Sequence, residues 1–569
     1  MLPTDLAGRL RPEPVLLELD LSRGLLEAPP ADPLAALRAR QVPTLGVVLG
    51  RLREASHDRH VVGLVAHVGS ERLSAAQVDE LGAGIEAFAR SGRPTACWTE
   101  SFGELGAGTL PYLLAAHFDE VWMQPSGALG LVGVATVGVF VRGALDRLGL
   151  EPQIGQRHEY KSAADLLMRE SMGTAQREAT QRLTDSVTEH VITTVARRRG
   201  LTQQQVASAV EAAPLSAQQA HERGLVDRIG YRDELYADLC DRSARHGRLR
   251  LRYVHRWHAG RTARAKQTVT RRRRVVAVVG VEGSIDRGRS GASPLGGARA
   301  GSDTVCAALR TAGSRDDVVA VVLRVVSPGG SYVASDAIHR EVSQLRASGR
   351  PVVTSMGTVA ASGGYFVAMP SDEIVALPST VTGSIGVLGG KVAVGDALRR
   401  VGVGTEPIGS GTQAAMFDPT RRFDDDQWQR VEEWLDGVYA DFTHKAAAGR
   451  RMPHGRLEPL ARGRVWTGAD AKQHGLVDTL GGLEVAVGRA AQRAGLARAD
   501  VRLERVPHLG WRDRVRPADS SDAPTTAATG ALGGVLGALG VEAGLAEALR
   551  ELGLPGGGVL SLPGPWRIE

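Results

Sequence analysis

Two hydrophobic rhythms alternate along this chain. Short runs of β-branched apolar residues, such as Val61 to Val65 and Val318 to Val322, have the length of strands. Each is followed by a stretch whose apolar residues recur at i, i+4 and i+7, the spacing of one helix face. These are Leu81, Ile85 and Phe88 after the first run, and Ile338, Val342 and Leu345 after the second. Both helical stretches end in Ser-Gly-Arg-Pro, at Ser91 to Pro94 and Ser348 to Pro351, where glycine supplies a C-terminal cap and proline forbids a further turn. Strand, helix, stop and strand in that order predict parallel βαβ units covered by helices.

The rhythm occurs twice, and residue identities repeat with it. Asp58 to Val65 matches Arg315 to Val322. Further on, Tyr112, Asp119-Glu120, Pro125-Ser126, Gly130, Gly133 and Gly149 match Tyr365, Asp372-Glu373, Pro378-Ser379, Gly383, Gly386 and Gly402, and Gly224 to Asp227 matches Gly475 to Asp478. The spacing is about 253 residues, and self-similarity at a fixed spacing marks a tandem duplication. The expected division is a first repeat over 1–258, a basic linker over 259–274 and a second repeat over 275–500. The remaining 501–569 should hold a flexible segment (Pro517 to Gly530) and a small helix (Val535 to Leu552).

The copies have diverged where chemistry would sit. After the strand Val321 to Val326 the second copy carries Ser327-Pro328-Gly329-Gly330, whereas the first has Ser70-Glu71-Arg72-Leu73. Glycines at a strand end let a backbone N–H face a ligand with no Cβ in the way. Later, Pro351 to Met356 reads as a strand ended by Gly357, and Ala360-Ala361-Ser362-Gly363-Gly364 as a tight turn into a short helix that Pro370 stops. A serine at such a turn has an exposed hydroxyl, and the N–H groups of Gly363 and Gly330 are placed to hold an oxyanion. Taken alone, the pentapeptide fits a close-packed turn with a capping serine better than it fits a nucleophile's turn. The first copy has Thr109-Leu110-Pro111 here, and Pro111 has no N–H to offer.

An activated serine needs a base. Histidine is absent from Glu341 to Thr443, which leaves a histidine from elsewhere or a lysine. Nearly all cations are arginines, which stay protonated and cannot serve. The lysines are Lys161, Lys266, Lys391, Lys445 and Lys472. Lys266 lies in the charged linker, Lys391 in an expected loop after Gly389-Gly390, and Lys445 and Lys472 on helix faces patterned for solvent. Lys161 sits in Tyr160-Lys161-Ser162-Ala163-Ala164, among small and apolar neighbours where desolvation lowers an amine from ~10.4 toward neutrality. The alternative is a helix-start lysine on a solvated face. Its counterpart in the second copy is Ala414, so serine in one copy and lysine in the other point to one composite site.

Composition narrows the classes. A chain of 569 residues, 43% hydrophobic and 23% charged, is an ordinary soluble composition spread over more than one domain. The net charge of +6 is small for this length and comes without an aromatic-interleaved basic motif, so no nucleic-acid partner is expected. Cys97, Cys240 and Cys306 are too scattered for a zinc site or a disulfide framework. The N-terminus lacks the pattern of a signal peptide, and no stretch reaches the ~18 apolar residues of a membrane span; the nearest, Gly530 to Ala546, is broken by Glu542. The expected location is cytoplasmic or peripheral at the membrane, with any anchor lying upstream of the start given. The arginine-rich run Arg261 to Arg274 reads as an exposed linker.

Five motifs taken together carry a family likeness: S-P-G-G-S (Ser327 to Ser331), S-M-G-T-V-A-A-S-G-G-Y (Ser355 to Tyr365), P-S-T-V-T-G-S-I-G-V (Pro378 to Val387), Y-K-S-A (Tyr160 to Ala163) and W-T-G-A-D-A-K-Q-H-G-L-V-D (Trp466 to Asp478). Over about residues 14–500 the chain resembles the signal peptide peptidase A (protease IV) family in its long, two-repeat bacterial form. The resemblance implies an α/β fold, a tandem duplication of a Clp-protease/crotonase-like domain. It also implies a serine endopeptidase with Ser362 as nucleophile, Lys161 as general base and Ser384 orienting the lysine amine, working without metal or cofactor. Released signal peptides are the implied substrates and a homotetramer the implied assembly; a peripheral membrane contact is a further expectation. Two departures stand out: Val326 replaces the family's asparagine before S-P-G-G, and the N-terminal anchor of the better-known long members is not in the chain as written. The alternatives on the same scaffold are a crotonase-like acyl-CoA enzyme that uses carboxylates, and a non-catalytic membrane-surface scaffold using Arg271 to Arg274.

Overall fold

The valine-rich runs form two sheets, one in each repeat, that match strand for strand in the computed structural model. It describes residues 14–21, 24–28, 42–69, 73–243, 250–258, 274–292, 298–507 and 560–561. The first copy's Ser70 to Arg72, the linker with Lys266 and Arg271 to Arg273, the flexible segment and the C-terminal helix lie outside the described residues. In the first repeat, β1 (Val15–Asp20), β2 (Val61–His67), β3 (Thr95–Thr99), β4 (Glu120–Met123), β6 (Arg228–Ile229) and β7 (Arg250–Tyr253) form a parallel sheet in the order β6-β4-β3-β2-β1-β7. The strand between them in sequence, β5 (Glu151–Gln156), leaves that sheet.

The second repeat has β8 (Arg274–Glu282), β9 (Val318–Ser327), β10 (Gly329–Gly330), β11 (Val352–Ala361), β12 (Glu373–Ala376), β13 (Val381–Gly383), β14 (Leu388–Ala393), β15 (Val465–Thr467), β16 (Thr479–Leu480), β17 (Val501–Val506) and β18 (Leu560–Ser561). Six of these run in the order β16-β12-β11-β9-β8-β17, the order of the first sheet, so β17 completes the second sheet as β7 completes the first. Strand β11 is long enough to have two partners on one side: Val353 to Met356 pair with β12, and Val359 to Ala361 with β13. Gly357 therefore does not end the strand, as the sequence had suggested. A Cβ there would meet Val326 Cγ2 at 2.7 Å and the Arg324 guanidinium at 3.0 Å, so the glycine lets the Arg324 side chain pass.

The helical stripes bury as their spacing predicts. Leu81, Ile85 and Phe88 on α1 (Ala75–Ala89) and Ile338, Val342 and Leu345 on the helix Tyr332–Ala347 all face the core, and Gly92 and Gly349 take the left-handed cap conformation (φ +79° and +84°). Tertiary hydrogen bonds repeat as well. Tyr112 Oη donates to Leu225 O at 2.7 Å and Tyr365 Oη to Leu476 O at 2.9 Å. Asp227 accepts from Val121 N and Arg199, just as Asp478 accepts from Ile374 N and Arg450.

Two features lock the repeats together. Strands β5 and β14 pair antiparallel across the boundary, from Glu151 opposite Ala393 to Gln156 opposite Leu388. On the other side, Arg324, only 1% exposed, is bonded at 2.7 Å to both Glu80 and Glu27 of the first repeat, and Glu80 also accepts from Leu483 N. Removing one partner from such a buried pair typically costs ~3–5 kcal/mol, because the other charge is left uncompensated. Lys391 lies in β14, not in a loop: the pairing with β5 extends the strand through Gly389-Gly390. Its amine donates to Met416 O and Asp418 O. Lys445 pairs with Asp336 and Asp441, and Lys472 donates to Asp478 O.

Candidate active site

Strand β11 ends at Ala361 and α2 (Gly363–Ala368) starts two residues later, leaving Ser362 at the junction with φ +55° and ψ −115°. That backbone is uncommon for a residue with a side chain, and such outliers persist only when their surroundings hold them. Here Ser362 N donates to Gly383 O at 2.8 Å and Ser362 O accepts from Phe366 N at 2.9 Å.

The glycine turns meet beside this serine. A Cβ on Gly363 would lie 3.1 Å from both Gly330 N and Gly329 Cα, and one on Gly364 would lie 2.6 Å from Ser327 O. The N–H groups of Gly330 and Gly363 thus belong to backbones in direct contact. Ser327 Oγ accepts from Gly329 N at 3.1 Å and ties the turn, while Val326 faces Gly357. The edge formed by β10 pairs antiparallel with β18, Gly329 opposite Ser561 and Gly330 opposite Leu560.

Lys161 arrives from the first repeat along the crossing strands. Beyond Gln156, Arg157 N extends the ladder by donating to Val387 O at 3.1 Å, and the chain enters a single 3₁₀ turn over Ser162–Ala164. Ala163, Ala164 and Leu167 pack with Ile154 and Leu388, which seats the turn on β5 and β14. Lys161 Nζ then lies 2.8 Å from Ser362 Oγ, 3.0 Å from Ser384 Oγ and 3.3 Å from Ser384 O. Ser384 itself has φ +49°, and its N–H donates to Arg464 O at 2.7 Å.

Lys161, Ser362 and Ser384 are all fully buried. The hydroxyl expected to be exposed is covered: the Lys161 amine lies against it, and the lysine comes from a repeat that local sequence reasoning does not see. Burial lowers the Lys161 amine from 10.5 to about 7, and no charged neighbour contributes to the shift. At ~1.36 kcal/mol per unit this is a penalty of about 5 kcal/mol on the protonated form.

The sign of the linkage follows. The folded-state value lies below the unfolded one, so between pH 7 and 10.5 the unfolded chain holds a proton that the folded chain lacks. Stability rises with pH across that window, and the full penalty is present below it. Lys161→Met should therefore unfold about 1–3 °C above the wild type near neutrality, a gain of about 1–3 kcal/mol once the lost hydrogen bonds are deducted. The gain should shrink as pH approaches 10. Thermal unfolding followed by circular dichroism at both ends of the window measures it, and an equal gain at both would disprove the assigned shift.

Among the described residues the first copy holds no matching site. Thr109 is buried, its hydroxyl donates to Gly133 O at 2.7 Å, and Leu110 and Pro111 replace the glycines. Sequence reasoning missed two residues that touch the site, Gly463 and Arg464. Their one signal was a glycine just ahead of strand β15, which reads as ordinary punctuation.

A family model, Peptidase family S49, matches residues 87–244, which contain Lys161, and residues 344–497, which contain Ser362. Protease 4 of Salmonella typhi is 31% identical over 464 residues, spanning 79% of this chain and 72% of that protein. Serine protease SPPA, chloroplastic, of Arabidopsis thaliana is 30% identical over 464 residues, 79% of this chain and 66% of that one. A solved structure of a ClpP1 mutant from Listeria monocytogenes aligns with 39% of this chain and 99% of its own, at 14% identity and a TM-score of 0.25. With the family goes the expected fold, two α/β repeats of Clp-protease/crotonase-like type, and with it the acyl-CoA and scaffold alternatives fall away. One match in each half of a duplicated chain, together spanning more than half of it, establishes that the protein belongs to peptidase family S49.

Proposed function

We propose that this serine peptidase of family S49 is an endopeptidase that cuts peptides with a dyad assembled from its two repeats, Ser362 as nucleophile and Lys161 as general base. The observation that carries the reading is the 2.8 Å approach of a fully buried, desolvated amine to the serine hydroxyl. A neutral amine has one lone pair and two N–H groups, and Nζ has three neighbours. The Ser384 carbonyl can only accept, and the Ser384 hydroxyl accepts the second N–H, which leaves the lone pair facing Ser362. Ser384 is thereby the residue that orients the amine.

In the proposed cycle Lys161 takes the Ser362 proton as Oγ bonds to the substrate carbonyl carbon. The N–H groups of Gly330 and Gly363 hold the oxyanion. The intermediate collapses when Lys161 gives that proton to the leaving amine. Water then attacks the ester, losing a proton to Lys161, which returns it to Ser362 as the new carboxyl group departs. The first repeat, residues 1–258, supplies the base; residues 275–500 supply nucleophile and oxyanion hole, with Val501–Val506 completing their sheet; 259–274 links the repeats, and the rest of 501–569 is an extension.

An extended peptide is the ligand this reading calls for, and the antiparallel pairing of Leu560–Ser561 with Gly329–Gly330 supports it, since that edge accepts a strand by main-chain bonds. Released signal peptides are the proposed substrates. A homotetramer is the proposed assembly, supported by Val137, Val139, Ile408 and Phe417, large apolar side chains left exposed on segments of both repeats. Among the described residues no helix is long and apolar enough to cross a membrane. A cytoplasmic or peripheral location, with peripheral contact to the membrane, is part of the same proposal.

The intrachain dyad is tested by mixing. Chains carrying Ser362→Ala, unfolded and refolded together with chains carrying Lys161→Ala, should recover no peptide cleavage, because every chain lacks one member. Partial recovery above either variant alone would place the pair between protomers.

A further inference from the structure

The geometry points to Arg462-Gly463-Arg464 of the second repeat as the cradle that sets Lys161 of the first, with Gly463 as a positioning residue. The inference rests on Lys161 being the base. Arg462 and Gly463 take successive left-handed conformations, φ +52° and +81°, held by Gly463 N donating to Ile385 O at 2.7 Å and Arg464 N donating to Ala461 O at 2.8 Å. This bend presses bare backbone against the lysine: a Cβ on Gly463 would lie 2.5 Å from Lys161 N, Cα and Cβ alike. Gly386 packs beside it and continues the wall along the side chain: a Cβ there would sit 2.7 Å from Gly463 Cα and 3.2 Å from Lys161 Cδ.

The side chains continue the match, three successive residues against three. Arg462 reaches Glu159 at 3.4 Å, Gly463 meets Lys161, and the Arg464 guanidinium lies 4.8 Å from the Tyr160 ring centroid and 4.5 Å from that of Trp466 while bonded to Glu178 at 2.6 Å. The same run fixes the orienting residue, because Arg464 O receives the Ser384 N–H. One strip of main chain therefore holds both the base and the hydroxyl that aims it. Shifting this strip moves Nζ relative to Ser362 Oγ, and a misplacement of ~1 Å is enough to lower turnover on the order of 100-fold. Ionisable groups around the lysine are Glu159, Tyr160 and Asp165 on its own segment, Glu178 on the helix Thr174–Arg199, Tyr439 and Glu458 beside the bend, and Arg462 and Arg464 in it. None of them contributes to the amine's shift, so its titration reports burial.

The experiment measures kcat, KM and the pH dependence of kcat/KM for Gly463→Ala and Arg464→Met, with Gly495→Ala as the control. Gly495 has φ +72° and nothing within 4 Å of an added Cβ, so it imposes the backbone strain without the collision. Gly463→Ala should lose about 100-fold in kcat with KM within about threefold, and its alkaline-rising limb should move up by about a unit or more as water reaches the amine. Arg464→Met should shift the same limb with a loss of about tenfold, while Gly495→Ala keeps the wild-type profile. If Gly463→Ala fails to fold, Arg464→Met decides the matter. A folded Arg464→Met variant with the wild-type limb and kcat overturns the cradle while Lys161→Ala stays dead. Activity in Lys161→Ala overturns the dyad itself, a distinguishable result.

Discussion

Ser362→Ala is expected to abolish peptide hydrolysis and to leave the folded chain intact. The substitution removes one oxygen and adds nothing, and alanine at φ +55° meets the same backbone constraint that serine already meets. The two hydrogen bonds that hold the junction, to Gly383 O and from Phe366 N, are main-chain bonds and survive. Lys161 Nζ keeps both contacts to Ser384, so the lost bond changes stability by about 1 kcal/mol at most. Turnover is another matter, because the proposed acyl bond forms on the oxygen that is removed. A fall of about 10⁴-fold or more is expected, down to what the oxyanion donors and binding alone supply. Peptide cleavage followed by chromatography measures it, and wild-type turnover would remove Ser362 from the mechanism.

Lys161→Arg is expected to be as inactive as Lys161→Ala, a loss of about 10³–10⁴-fold. Arginine keeps a positive charge but has no lone pair to take the serine proton at any working pH. It is also bulkier, and the fully buried Nζ already has Ser362 and Ser384 within 3.3 Å, so a guanidinium has to displace them. In the wild type, activity should rise with pH through a single limb near 7. Below it the amine is protonated and cannot act; above it the neutral form is full. An arginine variant that keeps most of the activity would make Lys161 a charge anchor and not a base.

Much of this was legible in the chain because the duplication leaves an internal control. Tyr112 and Tyr365, or Asp227 and Asp478, recur because each copy needs the same hydrogen bond to close its sheet. The loss of glycines from one copy and of the lysine from the other then stands out. Lys161 was legible because lysine is scarce and its neighbours are small. What was not legible depends on contacts between segments distant in sequence. Gly357 reads as a strand end whether it stops the strand or admits the Arg324 side chain, and only the approach of Glu80 and Glu27 distinguishes the two. Lys391 reads as a loop residue until β5 pairs with its strand. The covering of Ser362, and the bend at Gly463 that packs on Lys161, are made by one repeat packing on the other, and no local pattern encodes them.

The most direct test is the rate at which a fluorophosphonate probe modifies the protein as a function of pH, with the adduct mapped by peptide mass spectrometry. The expected result is a single adduct on Ser362, formed at a rate that rises through one limb near 7 and that collapses in Lys161→Arg and Lys161→Ala alike. An adduct on any other residue, or labelling of Ser362 at the wild-type rate in Lys161→Ala, would contradict the account.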